Sequence, residues 1–220
     1  MLFKESRYLV IENVLPREVI DFCYEYILLK KKVYATFVEK KFISPYDQSF
    51  GTYEKPADQV PSSFCHYGDV AMEILLQKVK PIMEKETNLK LLETYSYVRV
   101  YKKGDMLPRH KDRPSCEIST TLNLGGDPYP IYLSPNENVG EPDGKNITVF
   151  SKAKGIKLNL KPGDMLIYKG QELEHWREPF EGNQCVQVFL HYNDAAVHGE
   201  KNKFDKRLHL GLPLVDDFLC

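Results

Sequence analysis

Between Tyr95 and Tyr192 the chain repeats one pattern: a short run rich in β-branched and aromatic residues, then a turn signal, then another run. Tyr95 to Tyr101 is followed by the turn Lys102 to Asp105. Ile118 to Leu124 is closed by Gly125, Gly126, Asp127 and Pro128. Lys161 to Asp164 turns into Met165 to Tyr168, and Gly182 and Asn183 lead into Gln184 to Tyr192. Branched and aromatic side chains fit a pleated, packed surface, whereas Gly, Pro, Asn and Asp supply the backbone angles of turns. Short strands at this spacing specify a β sandwich or barrel.

Within that pattern stands the triplet His110, Lys111, Asp112, answered further along by His175. On an extended strand residues i and i+2 share a face, so His110 and Asp112 can reach one metal ion, and His175 completes a triangle of ligands. Two neutral imidazoles and one carboxylate suit Fe(II) and leave positions open for a co-substrate and O2. A structural zinc site would close its shell with four protein ligands, often with Cys, and no fourth ligand has that spacing here. An isolated H-x-D triplet is a weak motif that also occurs on solvated loops; the strands on either side give this one its weight.

The N-terminal part reads differently. Arg7 to Val14 is a strand. Pro16 suits the first turn of a helix to about Lys32, with Val19, Phe22, Cys23, Tyr26 and Ile27 on one face. A second helix runs from about Asp69 to Thr87, with Pro81 as a candidate kink. Residues 42 to 65 read as a long loop of lid type, with anchoring by Phe50, Tyr53 and Phe64 as the alternative. Residues 134 to 146 read as an inter-strand loop, and Leu208 to Leu219 as an apolar segment that docks. Helices preceding the strands would pack on the outer face of one sheet. The 220 residues fit a single domain, 1–220, with a motif-bearing core of about 92–194.

The net charge of −1 gives no field for steering nucleic acid. The basic clusters at Lys30 to Lys32 and Lys201 to Arg207 lie beside acids and read as solvated surface. Five cysteines without C-x-x-C spacing argue for a reducing, cytoplasmic setting rather than a disulfide framework. No apolar run reaches membrane length, and the start lacks the apolar stretch of a signal peptide. The sequon Asn146 to Thr148 carries no meaning in a cytosolic chain.

The string Y-x-x-G-D-x-L-x-x-H-x-D from Tyr101 to Asp112, with P-G-D-x-L-I-Y from Pro162 to Tyr168 before the distal histidine, resembles the iron- and 2-oxoglutarate-dependent oxygenases, most closely their prolyl 4-hydroxylase-like branch. The resemblance implies a mainly β, α+β fold: a double-stranded β-helix, a jelly-roll or cupin-like core, with the N-terminal helices on one sheet. It implies a dioxygenase that decarboxylates 2-oxoglutarate to succinate and hydroxylates a C–H bond, with Fe(II), 2-oxoglutarate and O2 as cofactors and ascorbate as an accessory reductant. By resemblance His110, Asp112 and His175 are the catalytic iron ligands, and Tyr101 lines the 2-oxoglutarate pocket.

One departure matters. The family places an Arg or Lys about ten residues after the distal histidine, where it pairs with the 2-oxoglutarate C5 carboxylate; this chain has Gln184, Cys185 and Val186 there. A buried carboxylate without a cation is costly. If Tyr101 points into the barrel, Arg99 and Tyr97 do too, which makes Arg99 one candidate partner; Arg177, two residues after His175, is the rival. Thr121 shares its strand phase with Ser119 and Asn123, and Gln187 its phase with Cys185 and Phe189, so either could line the co-substrate pocket. Arg113 and Trp176 directly follow iron ligands and are expected at the substrate-binding rim. His66, His191, His198 and His209 have no partner at ligand spacing and read as structural or exposed. A peptidyl proline is the first substrate guess. A free amino acid or small metabolite, or a metal-binding barrel without oxygenase activity, are the alternatives.

Overall fold

The computed structural model describes residues 3–44, 46–135 and 152–214. After the short α1 (Phe3–Ser6) and β1 (Tyr8–Ile11), Pro16 precedes α2 (Arg17–Glu39). Ile20, Cys23, Ile27, Lys30 and Tyr34 are its buried residues, a repeat of three and four that makes one helical stripe. The helix continues past Lys32 because lysine is a good helix former and the stripe extends to Tyr34. Lys30 itself is not solvated: its Nζ lies 2.5 Å from Asp69 Oδ2 in the interior.

Asp69 also caps α3 (Val70–Thr87), accepting from Met72 N at 3.0 Å. The helix runs through Pro81 and ends at Asn88, whose φ of 57° stops it. Both long helices bury their stripes on one face of a seven-stranded sheet.

The strands are β2 (Thr52–Tyr53), β3 (Phe64–Tyr67), β4 (Leu91–Lys102), β5 (Leu107–His110), β6 (Ile118–Gly126), β7 (Ile131–Ser134), β8 (Ile156–Leu158), β9 (Met165–Lys169), β10 (Glu174–Arg177) and β11 (Gln184–Asp194). They form two antiparallel sheets, β1-β9-β6-β11-β4-β3-β2 and β5-β10-β7-β8. Val98, Val100, Val186, Val188 and Leu190 of the larger sheet face the helices. Their alternate neighbours face the smaller sheet, where Tyr101 and Phe189 meet Leu107, and Leu166 and Tyr168 meet Ile131 and Leu133. The architecture is a double-stranded β-helix with N-terminal helices on its larger sheet.

One expectation changes. The segment from 42 to 65 is anchored, not a loose lid. β2 pairs with β3, Tyr53 and Phe64 pack with Tyr34 at ring separations of 5.7–5.8 Å, and Glu54 is buried against Arg99. Of the segment expected to dock from Leu208 to Leu219, the described part ends at residue 214, and in it Leu210 packs against the apolar core. Leu208 is 89% exposed, while Arg207 reaches Glu73 at 2.7 Å and the Thr94 carbonyl at 3.0 Å. Among the described residues no helix is long and apolar enough to cross a membrane. Most of the loop expected at 134 to 146, with its sequon, lies outside the described residues.

Candidate metal centre

Antiparallel pairing of β5 with β10 sets His110 directly opposite His175, and Asp112 follows at the end of β5. The Asp112 N–H donates to the Gly170 carbonyl at 2.8 Å. This close approach requires glycine: a Cβ at Gly170 would collide with the Asp112 carboxylate and the Cys116 carbonyl. The three side chains converge, with His110 Nε2 at 3.6 Å and His175 Nε2 at 3.4 Å from Asp112 Oδ1.

Each imidazole is oriented from behind. His110 Nδ1 lies 2.8 Å from the Pro108 carbonyl and His175 Nδ1 2.9 Å from the Leu173 carbonyl. A carbonyl only accepts, so both Nδ1 atoms carry a proton, and each ring turns its Nε2 toward the carboxylate. Burial and the neighbouring His175 lower the pKa of His110 and favour its neutral form. Burial works to raise the Asp112 carboxyl, yet His175 and His110 hold it well below the usual carboxylate range. Without a metal the imidazoles stabilise the carboxylate themselves; with Nε2 deprotonated, the same three atoms become two nitrogen donors and one oxygen donor converging on one point. The donor set therefore fits a divalent metal, and its imidazole–carbonyl bonds are the outer contacts that ligating histidines generally make.

The second Asp112 oxygen is held as well. Ser119 Oγ lies 2.7 Å from Oδ2 and 3.0 Å from His191 Nδ1. Ser119 Oγ also lies 2.9 Å from the Cys116 carbonyl; with its single proton given to one of two oxygens that only accept, it accepts from His191, which fixes that ring's tautomer too. Sequence reading left His191 without a role; its strand phase, four residues on from Gln187, was the signal that it faces inward.

Deeper in the barrel, Arg177 shares the inward face of β10 with His175 and is 1% exposed. Its guanidinium donates to the Tyr129 carbonyl and, at 3.2 Å, to Thr121 Oγ1, but its Nε has no hydrogen-bond partner. Tyr101 and Tyr129 flank it, with ring centroids 5.6 and 4.9 Å from the guanidinium carbon. Thr121 Oγ1 in turn donates to Gln187 Oε1 at 3.0 Å. Arg99 also points inward, as its strand phase required, and reaches the Tyr101 hydroxyl at 3.3 Å. Its charge, however, is already matched by Glu54, which also accepts from the Tyr97 hydroxyl at 2.5 Å and the Val60 N–H at 2.7 Å. Glu54 comes from a loop, and no sequence signal pointed to it.

One rim expectation is corrected. Trp176 alternates with His175 and faces away from the centre, stacked on Tyr132 with the Arg109 guanidinium 3.5 Å from its ring centroid. Arg113 does line the cavity, but it is held by Asp205 through a two-pronged ion pair at 2.8 and 2.5 Å. The cavity over the centre has a volume of about 410 Å³, walled by Tyr53, Tyr67, Tyr95, Tyr97 and Phe189, with Pro213 and Leu214 on the C-terminal side.

No family model matches the chain, and no curated protein matches it. Solved structures do. The non-heme α-ketoglutarate-dependent epimerase SnoN of nogalamycin biosynthesis superposes with a TM-score of 0.64 at 12% identity, over 98% of this chain and 93% of its own. A Pseudomonas putida prolyl-4-hydroxylase gives 0.56 at 12% identity, over 87% and 95%. A Trichoplax adhaerens prolyl hydroxylase, in complex with a hypoxia-inducible-factor peptide fragment, gives 0.56 at 15% identity, over 88% and 86%. The chain thus has the double-stranded β-helix fold of prolyl hydroxylases and other iron- and 2-oxoglutarate-dependent oxygenases, the fold that its sequence resemblance implied.

Proposed function

We propose that this protein is an Fe(II)- and 2-oxoglutarate-dependent dioxygenase that hydroxylates a C–H bond of a peptide or small-molecule substrate. The observation that carries the reading is the convergence of two imidazole Nε2 atoms, each oriented through its Nδ1 by a backbone carbonyl, on one oxygen of the Asp112 carboxylate. His110, Asp112 and His175 hold the iron, and Ser119 and His191 keep the Asp112 carboxylate aimed at it. The bound metal, with O2 and 2-oxoglutarate, supplies the oxidant that removes a substrate hydrogen.

Arg177 is the cation for the C5 carboxylate. Arg99 is neutralised by Glu54, whereas Arg177 keeps an unpartnered N–H among Thr121, Tyr101 and Tyr129 in the barrel interior. Its buried fork suits a carboxylate. Gln187 holds Thr121 in place beneath it. The tyrosine walls above the centre exclude water and suit an apolar or ring-bearing group. A prolyl residue is the first candidate, supported by two prolyl hydroxylases among the similar structures. A compact small molecule is the second, favoured by walls on both the Tyr53 and the Pro213 sides. SnoN, solved with Fe3+ and α-ketoglutarate, supports the cofactor assignment.

The test is succinate release from 2-oxoglutarate with Fe(II) and O2, in wild type and in Arg177→Gln. The variant should raise the 2-oxoglutarate KM by at least ~30-fold and leave metal affinity intact, as loss of one partner of a buried charge pair does. Absence of succinate with metal bound would refute the oxygenase reading. A silent Arg177→Gln alongside a defective Arg99→Gln would return the carboxylate to Arg99.

A further inference from the structure

We propose that Tyr95 and Cys116 form a thioether cross-link beside the metal centre, made by the protein's own oxidative chemistry in the absence of substrate. Cys116 Sγ lies 3.0 Å from the Tyr95 hydroxyl oxygen, and the ring carbons ortho to that hydroxyl are two bonds from the oxygen. Both residues are buried and line the cavity over the metal centre. The thiol sits in the centre's immediate surroundings: its sulfur, an Asp112 carboxylate oxygen and a His191 ring nitrogen all lie within 4.8 Å of one another.

Neither partner is free to drift. The Tyr95 ring is stacked on Tyr67 at 4.8 Å, lies 4.5 Å from the His191 ring, and has the Arg113 guanidinium 4.6 Å away. Cys116 closes a 3-10 turn whose Ser115 carbonyl accepts from Thr94 Oγ1 at 2.7 Å. Holding two reacting groups in contact removes most of the entropic barrier to joining them. Proximity to the site that generates the oxidant supplies the driving force, so the inference rests on the oxygenase reading above.

The reaction balances. The Cys116 S–H bond and one ortho C–H bond of Tyr95 break, and an S–C bond forms. Two protons and two electrons leave. They reduce one oxygen atom of O2 to water, while the other enters succinate as 2-oxoglutarate loses CO2. A thiol this close to an oxidising centre would otherwise climb the irreversible oxidation ladder; the cross-link removes that hazard and locks one wall of the cavity.

The experiment uses the full chain, produced without oxygen and stripped of metal, then given Fe(II), 2-oxoglutarate and O2 with no substrate. Intact mass under reducing, denaturing conditions should fall by two hydrogens, and one of the five cysteines should become inaccessible to alkylation. Peptide mapping should join the Tyr95 and Cys116 peptides by a bond that reductant does not cleave. Cys116→Ser and Tyr95→Phe should each abolish the change. Succinate formation with mass and thiol count unchanged, a gain of oxygen mass, or a join between other residues would overturn the cross-link and leave the oxygenase reading standing. No metal binding and no succinate would overturn both.

Discussion

The two faces of the seven-stranded sheet are both buried, yet they are built from opposite chemistries. Along β11, Val186, Val188 and Leu190 face the helices, while Cys185, Gln187, Phe189 and His191 face the barrel. β4 repeats the contrast, with Val98 and Val100 outward against Tyr97, Arg99 and Tyr101 inward. The helix-side face is a close-packed apolar layer whose contribution is the hydrophobic burial itself. On the barrel side each buried polar group needs a partner, and nearly all have one: Arg99 with Glu54, Arg113 with Asp205, Thr121 with Gln187, Ser119 with Asp112. What is left over is informative. Among the described residues three buried side-chain atoms lack a partner, Ser96 Oγ, Asn193 Oδ1 and Arg177 Nε; only Arg177 is a cation, and with the two imidazole Nε2 atoms facing Asp112 it marks where the barrel suits an anion and a metal.

If that contrast is right, substitutions on the two faces should fail in different assays. The largest effect is expected at the centre: Asp112→Ala should weaken Fe(II) binding more than ~100-fold, beyond what outer-contact changes produce, and leave the fold intact. Isothermal metal titration with circular dichroism would check it, and unchanged stoichiometry and affinity would remove Asp112 from the ligand set.

Next come the structural positions. Leu190→Ala, on the helix side, should cost about 2–5 kcal/mol of stability by cavity formation. Arg99→Gln should cost about 3–5 kcal/mol, because it strands the buried Glu54 carboxylate. Both are read by urea unfolding. Neither should move the 2-oxoglutarate KM; a large shift with Arg99→Gln would show that the barrel interior shares its cations between structure and ligand.

A smaller effect should appear with pH in the metal-free protein. Burial pushes His191 down from the ordinary 6.5 to about 4. The folded state therefore resists a proton that the unfolded chain accepts. His191 contributes fully above pH 6.5, and that contribution is lost as pH falls toward 4, about 3 kcal/mol in all. Unfolding curves between pH 7 and 4 should flatten in His191→Gln; an identical slope would mean that other groups set the acid limb.

The smallest expected effect is that of Ser119→Ala, which removes the hydroxyl between Asp112 and His191. Metal affinity should drop about 10- to 100-fold, with partial recovery in Ser119→Thr. If alanine binds metal like the wild type, the imidazole–carbonyl bonds alone orient the centre.

Much of this was legible in the residue order, and for a definite reason. Strand geometry has a period of two, so parity alone puts His110 with Asp112, His175 with Arg177, and Tyr97, Arg99 and Tyr101 on common faces. The same parity rule places Trp176 away from the centre, although adjacency to His175 suggested the rim. Turn residues and branched runs located the strands, and the apolar positions from Val19 to Ile27 located the first long helix, although Phe22, placed on its buried face, is 65% exposed.

What only the tertiary structure decided is which of these side chains are already satisfied. Glu54 reaches Arg99 across 45 positions of sequence and Asp205 reaches Arg113 across 92. No local pattern encodes either meeting, because a salt bridge depends on where loops land and not on periodicity. The backbone of the C-terminal turn that carries Asp205 is equally unreadable, with Phe204, Asp205 and Lys206 all at positive φ, between 52° and 66°. Conformations that cost L-residues energy persist only where surrounding contacts impose them. Sequence thus set the faces, and the folded chain set the charge balance on each face, leaving Arg177, rather than Arg99, with an unpartnered nitrogen in the barrel.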